Sequence, residues 1–314
     1  MVGAAEGEGS AVTVNARAMG TDTPSPRWLV VGAGGMLGRD LAALLAAREL
    51  DHSALTRAEL DLTDAAAVKT AVSGYDVVVN AAAWTDVDGA ETHEAAASAI
   101  NGEAVLGLAH ACANSGARLL SLSTDYVFPG DATEPIAEDA PTAPINAYGR
   151  GKLIGERAVL EQLPETGYVV RTAWLYGRHG KNFVSTMLNL AAQRDTLDVV
   201  DDQAGQPTST TALARQLLAL GAAAHAGRAP SGVYHGTCSG RTTWFGLARA
   251  TFELSGLDPE RIRPTTSEKF VRPAPRPAYS VLGHGRWAAA GLAPMPDWRA
   301  ALSEYLTSST ETDA

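Results

Sequence analysis

Tyr148 and Lys152 stand four positions apart in the run Tyr-Gly-Arg-Gly-Lys, a spacing that puts a phenol and an ammonium on one face of a helix. A cation beside a phenol lowers the cost of the phenolate. The pair therefore predicts a tyrosine pulled below its ordinary pKa of ~10 and fit for acid–base work near neutrality. Helices also carry such pairs as plain surface neighbours, so the catalytic reading needs a second signal. Upstream, Ser121-Leu-Ser-Thr124 ends an apolar run. In open α/β sheets ligands lie beyond the carboxyl ends of strands, where Thr124 would project its hydroxyl.

A third constellation, Leu29-Val-Val-Gly32-Ala-Gly-Gly35-Met-Leu-Gly38, sets an apolar strand before a glycine turn and a helix after it. Gly32 permits the tight turn, Gly35 lets bare backbone approach a pyrophosphate, and Gly38 lets the helix pack close to the strand. The helix N-terminus would face the anion with unpaired N–H groups. Glycine turns without a cofactor are common, but placement directly after a buried-looking strand favours a dinucleotide.

The elements that must hold these residues alternate. The pattern predicts strands at 29–31, 52–56, 76–80, 118–123 and 168–171, with helices over 40–48, 65–72, 95–114 and 148–163; Thr63 or Asp64 would cap the second helix. Strands apolar on both sides argue for an α/β fold with a doubly wound, Rossmann-like parallel sheet covered on both faces. Residues 27–172 then form the dinucleotide-binding domain. Beyond Thr172 the rhythm changes: short strands at 198–201 and 233–235, helices around 209–222 and 244–255, and prolines at 264, 273, 275 and 277. This predicts a smaller substrate-binding region over 173–306, interleaved with the sheet. Residues 1–26 read as a disordered extension, with Met19 an alternative start, and 307–314 as a frayed tail.

Bulk properties narrow the class. A chain of 314 residues with a formal charge of −10, from 35 acidic against 25 basic residues, lacks the basic cluster that grips nucleic acid. No apolar run approaches the ~18–20 residues that cross a bilayer, and residues 1–26, which lack an apolar h-region, do not read as a signal peptide. Cys112 and Cys238 offer no disulfide framework or metal spacing and suit a reducing cytoplasm. His93, His110 and His225 read as helix-surface residues, and His179 and His235 fall near the expected pocket without a partner at ligand spacing. No metal site is predicted.

Glycine turn, strand-end hydroxyl and Tyr-x-x-x-Lys together resemble the extended short-chain dehydrogenase/reductase superfamily. Finer motifs narrow the likeness: Asn80-Ala-Ala-Ala-Trp-Thr-Asp-Val-Asp88, Ser123-Thr-Asp-Tyr-Val-Phe128, Arg171-Thr-Ala-Trp-Leu-Tyr-Gly177, Asn182-Phe183 and Asp202-Gln-Ala-Gly-Gln-Pro-Thr208. In that order, over about residues 28–305, they resemble the dTDP-4-dehydrorhamnose reductase family. The resemblance implies NADPH-dependent reduction of the C4 ketone of a nucleotide-linked 6-deoxyhexose, most simply dTDP-4-dehydro-L-rhamnose. Alternatives are a 4-ketoreductase for another dTDP-deoxysugar, or a non-catalytic regulatory subunit of methionine adenosyltransferase type. A homodimer is left open.

The same resemblance implies roles. Tyr148 would donate the proton, Lys152 hold the cofactor ribose, and Thr124 with Asp125 touch the sugar. Gly35, Met36 and Leu37 would lie along the pyrophosphate, Asp61 and Leu62 beside the adenine, and Ala82, Ala83 and Trp84 along the nicotinamide-side ribose. Trp174 would wall the sugar pocket, unless it is plain core. Met36 stands where the family more often has a polar residue, frequently glutamine, and Trp84 where it commonly has Tyr or His. At the end of the second strand, Leu55-Thr56-Arg57 offers a hydroxyl and a cation instead of the carboxylate that pairs the ribose of NAD. That favours NADPH, with NADH still open, although Arg57 would serve equally as a solvated surface charge.

Overall fold

The structure is a computed structural model that describes residues 25–310. Six parallel strands form its main sheet: β1 (Trp28–Val31), β2 (His52–Leu55), β3 (Val77–Asn80), β4 (Arg118–Thr124), β5 (Gly167–Thr172) and β6 (Gly232–His235). Their spatial order is β6-β5-β4-β3-β1-β2. Side chains alternate across the sheet, so both faces of β1 are apolar. Trp28 and Val30 join a core with α1 (Met36–Ala47) and with α5 (Thr210–His225) through Leu41, Leu45, Leu213 and Leu217. Leu29 and Val31 face the other way, onto α2 (Ala65–Val72), α3 (Ala104–Ser115) and α4 (Ala147–Gln162) through Val68, Val72, Leu108 and Val159. This is the doubly wound arrangement that strands apolar on both sides require.

The chain reverses direction across the sheet between β1 and β3, whose register runs from Trp28↔Val77 to Val31↔Asn80. β4 and β5 end together at Thr124↔Thr172. The glycine turn, residues 81–84 and Thr124-Asp125 directly follow the carboxyl ends of β1, β3 and β4.

Several boundaries differ from the sequence reading. The strand over 233–235 belongs to the main sheet as β6, pairing with β5, and the strand near 198–201 is Leu197–Val200, paired with Ile262–Thr265. The first helix starts at Met36, before Asp40, because Gly35 supplies an extended N-cap. The helix expected over 95–114 is split into Glu94–Ser98, a π turn at Ala99–Glu103, and α3, and a further short helix at Val87–Thr92 precedes it. Alanine-rich periodicity hides such a break, and the π turn carries Asn101. The expected tail at 307 is helical as far as Thr310, within Trp298–Thr310. The expected extension 1–26 lies outside the described residues except for its last two, as do 311–314.

Candidate active site

The glycine turn forms a cradle that only hydrogen side chains allow. Gly32 has φ +83°, and a Cβ there would come within 2.5 Å of the Ala82 amide nitrogen across the β1–β3 crevice; one on Gly38 would meet the Gly32 carbonyl oxygen at 2.3 Å. Gly34 and Gly35 are exposed, and no side chain caps the N-terminus of α1. Exposed backbone N–H groups at a helix start beside a topological switch point fit a dinucleotide pyrophosphate. Met36 is the first residue of the helix and packs against Gly180; Leu37 points into the core. The missing polar side chain at Met36 leaves the cradle's backbone donors in place.

At the end of β2 the expected free hydroxyl is already engaged. Thr56 donates its backbone N–H and its hydroxyl to Glu59, both at 2.8 Å, and these bonds hold the Glu59 carboxyl below its usual range. Arg57 is exposed. The Asp61 carboxylate accepts from the Thr63 N–H and hydroxyl, and Leu62 is buried in the core under β1. Sequence reading missed Glu59, whose position three residues beyond Thr56 is the usual span of a side-chain turn bond.

After β3, residues 81–84 run beside the glycine cradle. Asn80 accepts from the Ala82 N–H, while Asn101 grips Trp84 at both backbone polar groups, accepting from its N–H at 2.9 Å and donating to its carbonyl at 3.0 Å. Asn101 sits in the π turn, which rotates a helical side chain out of register towards that loop, a common place for functional π turns. The Trp84 indole N–H is spent on the Asp86 carbonyl. Its ring packs with Tyr148 against Ala90, Ala97 and Ala147.

Tyr148 lies in the first turn of α4. Asn146 caps that helix by accepting from the Gly149 N–H at 2.8 Å, and Glu91 accepts from the Ala147 N–H. A Cβ on Gly149 would strike the Tyr126 carbonyl oxygen at 2.2 Å, so glycine is what lets the helix start rest on the turn after β4. That contact brings Tyr148 close to Thr124, whose side chain acts to lower the phenol's pKa. Thr124 in turn donates to Asp125 at 3.0 Å and accepts from the Tyr126 N–H, and Tyr126 meets the Tyr148 ring edge-on, centroids 5.9 Å apart. Thr124, Asp125 and Tyr148 thus converge. Asn146, an N-cap type directly before the helix, was legible as a signal and was missed.

The electrostatics correct the sequence expectation. Burial pushes the Tyr148 phenol up to about 12, the Asp125 charge adds to the rise, and the Thr124 side chain opposes it. Lys152 is not what sets it. The ammonium lies 2.6 Å from the Leu122 carbonyl, and burial lowers its pKa to about 8 against the opposing pull of Glu156. Helical spacing put the two residues on one face but did not reveal how deeply each is desolvated. A phenol with a raised pKa stays protonated at pH 7, which is the form that donates.

Asp125 is buried, and burial raises its carboxyl to about 6 against the pull of Ser280, Thr124 and nearby backbone N–H groups. Its folded pKa lies above the unfolded one, so the associated penalty is absent below pH ~4 and fully developed above pH ~6. Asp125→Asn is expected to stabilise the protein at pH 8 by on the order of 2 kcal/mol, with the gain shrinking at pH 5, in urea unfolding. It should also lower the Tyr148 pKa by removing the adjacent charge. A gain independent of pH would mean that the carboxylate is not the cause.

Trp174 follows β5 at the same edge of the sheet, with φ +47°. Its indole stacks on Trp244 at 3.6 Å and fills the space above Gly205, within an aromatic group that includes Phe183. Among the histidines, His179 does have a partner, Asp40, at 3.5 Å. His235 is a core residue: fully buried, bonded to the Gly283 carbonyl, and driven down to about 3 by burial and Arg171. His93 and His110 are exposed, and His225 is half-buried at the end of α5. Both cysteines are buried free thiols. Among the described residues no three His, Cys, Asp or Glu side chains gather as metal ligands, and no helix is long and apolar enough to cross a membrane.

A doubly wound sheet with a glycine cradle at its switch point, and a Thr–Tyr pair with a buried lysine at the adjacent strand ends, defines a dinucleotide-binding α/β protein equipped for proton transfer. Comparison with known proteins makes the class specific. Residues 27–311 match the RmlD substrate binding domain, and the chain belongs to that family. A dTDP-4-dehydrorhamnose reductase of Streptomyces griseus is 60% identical over 283 residues, covering 90% of this chain and 93% of the relative. A dTDP-4-keto-6-deoxy-D-glucose reductase of Streptomyces niveus is 51% identical, covering 88% and 96%. The crystal structure of dTDP-4-dehydrorhamnose reductase from Bacillus anthracis in complex with NADP superposes with a TM-score of 0.84 at 33% identity, covering 91% of this chain and all of that one.

Proposed function

We propose that the protein reduces the C4 ketone of a dTDP-linked 4-keto-6-deoxyhexose with NADPH, converting dTDP-4-dehydro-L-rhamnose to dTDP-L-rhamnose. One observation carries the reading: Tyr148 converges with Thr124 and Asp125 at the strand ends beside the glycine cradle. The named relatives support the substrate class. In this reading residues 27–172 hold the cofactor and 173–306 mainly the sugar nucleotide, and the protein acts in the cytoplasm.

NADPH supplies a hydride when bound. Gly32, Gly35 and Gly38 clear the space for its pyrophosphate, and Lys152 holds the ribose. Tyr148 gives its proton to the C4 oxygen as negative charge develops there, and Thr124 stabilises the phenolate left behind. In the resting protein the single Thr124 hydroxyl proton is held by Asp125, and it turns to the phenolate once Tyr148 has given up its own proton. The phenolate is then reprotonated from solvent, and the net change is one hydride and one proton added to one carbonyl.

The test is to offer NADPH with enzymatically made dTDP-4-keto-6-deoxysugars, with and without a 3,5-epimerase, and to identify products by NMR. One NADPH oxidised per sugar is expected. An enzyme that regenerates its cofactor would show no net loss. Bound NADPH with no oxidation across the panel would overturn the reading in favour of a regulatory subunit, a role that has no use for Thr124, Tyr148 and Lys152 together.

Arg57→Asp is expected to lower kcat/KM for NADPH by ~10-fold or more and to narrow its preference over NADH, since a third carboxylate replaces the one cation at a corner that the 2′-phosphate must approach. Equal losses with both cofactors would show that Arg57 does not meet the 2′-phosphate.

A further inference from the structure

The end of β2 is a poor site for a phosphate if Arg57 stands alone. Glu59 is fixed on Thr56 by two hydrogen bonds, and Arg57 acts on the Asp61 carboxylate, lowering its pKa alongside the stronger Thr63 bonds. One cation and two carboxylates within residues 57–61 sum to −1. A phosphate monoester brings a further ~1.5 to 2 negative charges at neutral pH. The local field would repel the group that distinguishes NADPH from NADH.

A second cation reaches the same place from the other side of the cleft. Arg39, exposed in the first turns of α1, folds back so that its Nε donates to the Gly34 carbonyl at 3.2 Å. Gly34 lies against β2: a Cβ on it would sit 3.8 Å from Thr56 Cγ2. The Arg39 guanidinium is therefore tied to the glycine turn at the residue that lies against Thr56, next to Arg57. Among the described residues Arg39 has no carboxylate partner, and both terminal nitrogens of its fork are unused. A planar fork held by one bond through Nε is suited to bidentate phosphate recognition.

Building on the proposed use of NADPH, we infer that Arg39 is the principal residue reading the 2′-phosphate, with Arg57 mainly offsetting the Glu59 and Asp61 carboxylates. The arrangement assigns cofactor specificity to the residue after the glycine turn as well as to the strand end.

The experiment titrates the full chain with adenosine 2′,5′-bisphosphate and with adenosine 5′-monophosphate by calorimetry, so that the readout is binding. Wild type should bind the bisphosphate the more tightly. Arg39→Met should weaken the bisphosphate by ~10-fold or more, leave the monophosphate within ~2-fold, and flatten the salt dependence of the former. Arg39→Lys should recover part of the loss, and Arg57→Met should cost less than Arg39→Met. Equal loss of both ligands in Arg39→Met would mean that Arg39 only braces the glycine turn, and no loss of either would overturn the inference as well. Should wild type itself fail to prefer the bisphosphate, the NADPH reading fails first and takes this inference with it.

Discussion

Tyr148→Phe is expected to lower kcat by ~10²-fold or more, the usual worth of a positioned general acid, while the affinity for NADPH stays within ~2-fold. The ring keeps its packing with Trp84 against Ala90, Ala97 and Ala147 and its edge contact with Tyr126, so the fold should not register the change. Lys152→Met provides the contrast. The ammonium is the proposed ribose contact and is fixed on the Leu122 carbonyl, so its loss should raise KM for cofactor as well as lower kcat. Stopped-flow reduction and cofactor titration separate the two outcomes. Near-normal kcat in Tyr148→Phe would remove the acid assignment.

The raised pKa of Tyr148 sharpens that prediction. A phenol at about 12 stays protonated across the working pH range, so an alkaline limb of a kcat profile below pH ~10 should not belong to the tyrosine. The group that titrates within range is Asp125, at about 6. Below pH ~6 its charge is lost and the Tyr148 pKa falls, which makes the phenol a stronger acid at the pH where Asp125 is neutral. An inflection near pH 6 that disappears in Asp125→Asn would locate this coupling.

The sequence made the glycine turn, the sheet and the Tyr–Lys spacing legible because each depends on local chemistry: a conformation only glycine adopts, apolar periodicity, and helical geometry. What it left out depends on contacts between distant segments. Asn101 lies 17 residues from Trp84 with no motif to link the two, yet its amide decides where Trp84 sits. The π turn that presents it breaks a run of alanines whose pattern reads as unbroken helix. Likewise Arg57 looked free because Glu59 and Asp61 were not weighed as neighbours, although the corner from Thr56 to Thr63 is tied almost wholly by local side-chain bonds. The Tyr148 pKa was misjudged for a different reason. Spacing reports adjacency, whereas the shift comes from desolvation, which only the packed structure fixes.

Beneath the site, Arg171 of β5 and Glu156 of α4 form a buried pair through two bonds of 2.8 and 2.7 Å, with side chains 4% and 2% exposed. Ser123 of β4 donates to the same carboxylate at 2.5 Å, and Arg171 stacks over Phe128. Three elements that carry the site are therefore joined by one ion pair. Removing a single partner strands a buried charge, so Arg171→Met should destabilise by ~3–5 kcal/mol, a large part of the ~5–15 kcal/mol typical of a folded domain. The double variant Arg171→Met, Glu156→Leu should recover much of that loss, because apolar groups of similar volume leave nothing unpaired. Chemical denaturation of the four proteins closes the cycle. The recovered double variant should still be altered at Lys152, one turn along α4 from Glu156, whose charge holds the lysine pKa up. With that charge gone the ammonium should deprotonate below about 8, and KM for NADPH should rise with pH earlier than in wild type. A double variant as unstable as Arg171→Met alone would mean that Arg171 matters through its packing on Phe128 and not through its pairing with Glu156.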